Sequence, residues 1–239
     1  EHSLVKNFLH RDTVRKFLIF NRRPRAHRVL LHSYINSSPR LKDQTYTGIG
    51  KDPNIKNYLH ILGKSDNPIA GKKRMRNYIE DNLEQYENKG FELDVDLDIN
   101  QANYMPYSYY YNTLISVVTE TETMPDSIFF TEKIFKPIVG LHPFILFGNP
   151  HSLSKLKEYG YKTFSDYWDE SYDQEEDLYK RFNKIVNLIE ELSVIPLEEL
   201  KKMYFSMSDI LNHNYSNLVF NNRQTKLFDQ LTDFPKKVI

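Results

Sequence analysis

Cysteine is absent from the 239 residues, which rules out disulfides, thiolate nucleophiles and cysteine-based zinc or iron–sulfur centres. That absence accords with a reducing compartment, and a cytoplasmic location is the expectation. Net charge is missing as well. The 32 Lys and Arg balance 32 Asp and Glu, so nothing in the overall charge draws the chain to nucleic acid or to an anionic membrane. No apolar run approaches the roughly 20 residues that a membrane helix needs, and the longest stretches, such as LHPFILFG from Leu141, read as buried strands. There is no internal repeat and no low-complexity linker. The chain opens on Glu1 rather than Met, which leaves room for a longer parent protein, and a removed targeting segment would leave no trace. What remains is a length and apolar content sufficient for one large domain around a hydrophobic core.

Along the chain, KFLIF (Lys16 to Phe20) is a short apolar run that ends in an Asn, Arg and Pro cluster and is followed by HRVLLHSYI. This is the order strand, loop, helix. Residues 36–71, with several Pro, Gly, Ser and Asn, read as an irregular connection, and MRNYIEDNLEQYENKG reads as one polar helix ending at Gly90. After FELDVDLDIN and a tyrosine-rich stretch comes TLISVVTE, a strand by its β-branched content. A loop, FFTEKIFKPIVG and the apolar PFILFG follow. Such alternation predicts an α/β fold with a parallel, nucleotide-binding (Rossmann-like) sheet flanked by helices. From Gln174 onward, DLYKRFNKIVNLIEELS and PLEELKKMYFSMSDILNHN predict two closing helices. One domain over 1–239 is the simplest account, its core at about 16–165 and the helices of 174–239 packed on it.

Ligands of parallel sheets bind beyond the carboxyl ends of the strands, where the loops after Phe20 and Glu120 fall. The first loop is Asn21-Arg-Arg-Pro-Arg-Ala-His-Arg28. A helix start already favours an anion through its free N–H groups and its dipole. Arginines add paired hydrogen bonds to phosphate oxygens. A solvated basic loop, or arginines paired with the acidic stretch from Asp166 to Glu191, is the alternative. The second loop leads to Thr131-Glu132-Lys133, where a carboxylate can accept both ribose hydroxyls while the neighbouring ammonium meets phosphate. Thr131 capping a helix and Glu132 complementing its dipole account for the same residues.

The longer stretch from VVTETE through FFTEKIFKPIVGLHPFILFGNP, together with LIFNRRPRAHRVLLHSYIN upstream, resembles the donor-binding C-terminal region of the α1,3-fucosyltransferase family. The resemblance spans roughly residues 16 to 165. It implies the donor domain of a two-lobed (GT-B) glycosyltransferase, with Arg28 on the diphosphate, Glu132 on the ribose and Lys133 on the phosphates. It also implies Glu120 and Thr121 at the rim of the nucleotide pocket and Phe129 near the base or ribose. Arg25 joins the grip on the local charge argument alone, and Arg22 follows it. The implied reaction is inverting transfer of a sugar, fucose or rhamnose, from a nucleoside diphosphate donor to a glycan hydroxyl. GDP is the first expectation for the carrier and UDP the second, with no further cofactor and no metal.

Two departures from the family stand out. Lys136-Pro137 places a proline well inside a helix that starts at Thr131, which bends it or moves its start to Pro137. The acceptor lobe that carries the family's catalytic carboxylate has no counterpart before Lys16, so the base falls to His10, Asp12, Glu120 or a further domain of a longer chain. Asp94-Val-Asp-Leu-Asp98 matches an Asp-x-Asp metal pair, but its alternation with Val95, Leu97 and Ile99 reads as a strand with one wet face. The tyrosines Tyr107 to Tyr111, Trp168 and His213 read as packing residues. Two other functions fit parts of the sequence: a nucleotide-sugar-binding module that has lost catalysis, and a nucleic-acid binder using the basic loop on phosphates and the tyrosines on bases.

Overall fold

The computed structural model describes residues 15–64, 66–91, 93, 105–124 and 128–221. His10, Asp12 and the Asp94 to Asp98 run lie outside the described residues, as does the chain beyond 221. Four short strands form one all-parallel sheet: β1 (Phe17–Phe20), β2 (Thr45–Gly48), β3 (Ile115–Thr119) and β4 (Phe144–Phe147), in the order β2-β1-β3-β4. Their side chains are buried almost throughout, as expected where helices cover a parallel sheet on both faces. Period-2 alternation divides β1. Phe17 and Ile19 belong to the main core with Val29, Leu30 and Leu31, whereas Leu18 joins Met105 and Tyr110 in a second cluster that Phe20 and Tyr46 flank.

Helix α1 (Ala26–Asn36) follows β1 and packs against α3 (Lys56–Gly63), α4 (Lys72–Asp81) and α9 (Leu178–Val194). Helices α2 (Pro39–Asp43), α5 (Leu83–Asn88) and α6 (Tyr107–Tyr111) are short; α7 (Glu132–Val139) joins β3 to β4 and packs against α11 (Ser208–Ser216). Helix α8 (Ser152–Glu158) precedes a 3-10 turn, Ser171–Gln174, and α10 (Leu197–Ser206) leads into α11. The chain runs from β1 to its neighbour on one side and then returns to β3 on the other. The sheet therefore has a topological switch point between β1 and β3, and their carboxyl ends open a crevice there.

Local chemistry explains the element ends. Asp177 caps α9 by accepting the amides of Tyr179 and Lys180 at 2.9 and 2.8 Å. At the other end of α9 the buried ammonium of Lys16 bonds the carbonyls of Ser193 and Ile195, each at 2.5 Å. A cation on helix-terminal carbonyls is a favourable cap, and Pro196 prevents the helix from continuing.

Three sequence expectations need correction. The stretch 36–71 is not irregular: it contains α2, the sheet strand β2 and α3. β2 (TYTG) is only four residues long and holds no aliphatic residue, so its strand character comes from parallel pairing with β1 rather than from an apolar pattern. The single polar helix ending at Gly90 is two helices, interrupted at Asn82, whose φ of −121° and ψ of 20° leave the helical region. PLEELKKMYFSMSDILNHN is likewise divided at Met207 into α10 and α11. Tyr110 and Trp168 are packed in the interior, and His213 bonds the carbonyl of Gly160 at 2.8 Å. No helix among the described residues is long and apolar enough to cross a membrane.

Candidate functional site

The loops after β1 and β3 meet at the switch point, and Glu120 is the buried centre of their junction. Its side chain is 0 % exposed. One carboxylate oxygen accepts the Thr131 amide at 3.1 Å and the other accepts the Thr131 hydroxyl at 2.5 Å. The Thr121 amide reaches that second oxygen at 3.3 Å. Burial raises the Glu120 pKa, against the opposing pull of the Thr131 bonds and the Lys133 charge. With both oxygens held by its own chain, Glu120 fixes the start of α7.

Thr131 is the N-cap of α7, with extended backbone and its hydroxyl oxygen accepting the Lys133 amide at 3.4 Å. Helix α7 begins at Glu132 and runs through Pro137 to Val139, so the start at Pro137 that its proline allowed is not adopted. The cap and buried Ile134, Phe135 and Ile138 outweigh the one hydrogen bond that a proline removes. Glu132 and Lys133 thereby leave the first turn toward the crevice. The Lys133 ammonium lies 2.9 Å from a Glu132 oxygen and 3.1 Å from the Thr131 hydroxyl. Burial alone would raise the Glu132 pKa, but Lys133, with a smaller contribution from Lys136, outweighs it and holds the carboxyl below its ordinary value.

The crevice is a cavity of about 60 Å³ lined by Leu18, Phe20, Tyr110, Thr119, Glu132, Lys133 and Lys136, with Ser116, Val117 and Val118 completing its wall. It combines an apolar floor from β1 and β3 with a charged lip from α7.

On the far side of β1 and β3, Arg28 is 2 % exposed. Its guanidinium donates to the carbonyls of Arg23 at 3.0 Å and Thr119 at 3.1 Å, while Nε has no partner. Burial, then the neighbouring Arg25, lowers its pKa to about 10, so it stays cationic at neutral pH. Arg28 ties the first loop to the end of β3. Arg25 stands at the surface in an ion pair with Glu122 at 3.3 Å, and precedes an α1 whose first turn has no side-chain cap. Arg22 is half-buried, and its carbonyl accepts the Gly50 amide at 2.7 Å. Phe129 is 54 % exposed, its amide bonded to Asn149 at 3.4 Å.

The sequence-derived residues thus fall into three places. Glu132 and Lys133 line the crevice, Glu120 and Arg28 support it from within, and Arg25, Thr121 and Phe129 lie on the loops around it. Four contributors were not anticipated. Lys136 lines the cavity, and its position four residues beyond Glu132 on one helical face was the signal. Asn21 accepts the Thr119 hydroxyl. Asn149 bonds both Met124 and Phe129 across the second loop, and Arg181 of α9 holds the carbonyl of Thr123; these last two act from distant sequence positions that no local pattern links to the loop. Among the described residues no group of three or more His, Asp or Glu is arranged to hold a metal ion. No protein-family profile, curated protein or solved structure matches the chain.

Proposed function

We propose that the chain is the donor-binding unit of a GT-B-type glycosyltransferase that moves a sugar from a nucleoside diphosphate to a glycan hydroxyl. The observation that carries this reading is the crevice at the switch point, where Glu132 and Lys133 share one lip. A carboxylate there accepts ribose hydroxyls, and an ammonium beside it meets the diphosphate. In the reaction an acceptor oxygen attacks the anomeric carbon as the bond to the diphosphate oxygen breaks, giving inversion in a single displacement. The acceptor's proton passes to a base, and the departing nucleoside diphosphate takes up the electron pair while cationic side chains stabilise its charge. In this reading Glu120, enclosed and bonded to Thr131, positions α7, which leaves His10, Asp12 or a further domain as the candidates for the base.

A nucleotide-binding module without catalysis is the second reading, favoured by the engagement of Glu120 and Glu132 with Thr131 and Lys133. Nucleic-acid binding gains nothing from Arg28, which is buried. The two leading readings separate when GDP-, UDP-, CDP- and dTDP-sugars are each incubated with the protein and mixed glycan acceptors. The transferase reading expects release of one nucleoside diphosphate, abolished in Lys133→Ala. Saturable donor binding without release would establish the module instead.

A further inference from the structure

Ser116 of β3 lines the crevice, and its hydroxyl lies 3.2 Å from Nδ1 of His142, a fully buried histidine shortly before β4. The other ring nitrogen of His142, Nε2, stands 2.7 Å from the carbonyl oxygen of Tyr110, and the two rings meet edge-on at 5.1 Å. A carbonyl only accepts, so Nε2 carries the proton. In the neutral ring Nδ1 then holds a lone pair, and the Ser116 hydroxyl donates to it. The serine oxygen is left with lone pairs alone to offer any other group. Ser116 is in register with Leu18 of β1, so both project from the same face of the sheet. That is the face on which Leu18 meets Tyr110, and both of these line the cavity with Ser116.

We propose that Ser116, its proton held by His142, is an accepting contact on the sheet wall of the crevice that selects a ligand group bearing an N–H or O–H. The inference rests on the donor-binding reading above. Leu18, Phe20, Val117 and Val118 of the same wall have no side-chain hydrogen-bonding group, and the Thr119 hydroxyl donates to Asn21. A polar ligand group pressed against this wall gives up its bonds to water and regains one only by donating to the serine oxygen. A carbonyl or an unprotonated ring nitrogen there sets lone pair against lone pair. With the ribose and phosphates at the lip on Glu132 and Lys133, the group that reaches the wall is an N–H on the edge of the nucleobase or a hydroxyl of the transferred sugar. The cavity, about 60 Å³, takes the edge of either ring.

The test is calorimetric titration of the wild type, Ser116→Ala and Ser116→Cys with GDP, UDP, GDP-mannose, UDP-glucose and inorganic pyrophosphate. Cysteine keeps a proton for His142 but accepts weakly, so it separates the contact with the ligand from support of the histidine, and melting curves report that support. The expected result in both variants is a loss of about three- to tenfold for the nucleotide sugar that the wild type binds, the worth of one hydrogen bond, with pyrophosphate unaffected. A loss already complete with the bare nucleoside diphosphate assigns the group to the base, and a loss confined to the nucleotide sugar assigns it to the sugar. Affinity lost in Ser116→Ala but kept in Ser116→Cys, or lost equally for pyrophosphate, would mark a merely structural role and overturn the proposal. So would unchanged affinity of both variants for every ligand, leaving the donor-binding reading intact. Failure of the folded wild type to bind any of the nucleotides would overturn both.

Discussion

At the scale of single residues, α1 carries two buried histidines whose titration is a stability property of the fold. His27 sits edge-on to Phe147 and donates from Nε2 to the carbonyl of Glu120 at 2.9 Å. His32 shares a 2.6 Å hydrogen bond with the Tyr86 hydroxyl among Tyr78, Tyr86 and Phe91. Burial, helped at His27 by the Arg28 charge, lowers each pKa to about 3. A depressed folded-state value means that the unfolded chain takes up protons first as the pH falls. Their contribution is present above the ordinary value of 6.5 and is lost progressively down to about 3, by on the order of 5 kcal/mol for each histidine over the full range. Urea midpoints should therefore hold steady above neutrality and fall steeply below it, and the slope should be shallower in His32→Leu. An unchanged slope in that variant would assign the acid sensitivity elsewhere. Arg28 illustrates how little a residue type alone decides. A basic loop at a helix start was legible in the sequence, but whether its arginine faces a ligand or ties down two carbonyls depends on the Thr119 partner 91 positions away.

At the scale of elements, the start of α7 joins capping to site geometry. Thr131 gives its hydroxyl proton to Glu120 and accepts from the Lys133 amide and ammonium, so one side chain orients the supporting carboxylate and the lysine at the lip. Thr131→Val keeps the shape but removes the oxygen. Loss of the cap costs about 1 kcal/mol, and the lost hydroxyl bond to buried Glu120, whose second oxygen keeps only the Thr121 amide at 3.3 Å, adds roughly 1–3 kcal/mol. Denaturant unfolding should show a combined loss near the upper part of that range, together with weaker nucleotide binding; a variant as stable as the wild type would contradict the role given to this contact. The same element shows why its start was open in sequence. Pro137 argued for a later beginning, and only the buried Glu120 that satisfies Thr131 settles it at Glu132. β2 was hidden for a related reason. Thr45 to Gly48 earns no apolar signature, yet its register with Phe17 to Phe20 makes it one side of the switch point. Gly90, in contrast, was legible as a terminator, and its φ of +72° with an added Cβ only 2.5 Å from the Lys51 nitrogen accounts for the residue.

At the scale of the whole molecule, the alternation of strand and helix made the parallel α/β sheet legible, because buried β-branched runs and amphipathic helices leave few other arrangements. The strand order was not, since parallel pairing partners leave no local mark. That order decides the location of the site: with β2 on one side of β1 and β3 on the other, β1 and β3 lie side by side and line the crevice together with α7. Lys136 completes its lip and became visible only once α7 had a defined face. The central claim is that this crevice binds a nucleoside diphosphate through Lys133 and Glu132. The most direct test is titration calorimetry of the intact chain and Lys133→Ala with GDP and UDP, with and without Mg²⁺. The account predicts one saturable site for one of the two nucleotides, independent of Mg²⁺ and at least tenfold weaker in the variant; a folded wild type that binds neither nucleotide would contradict it.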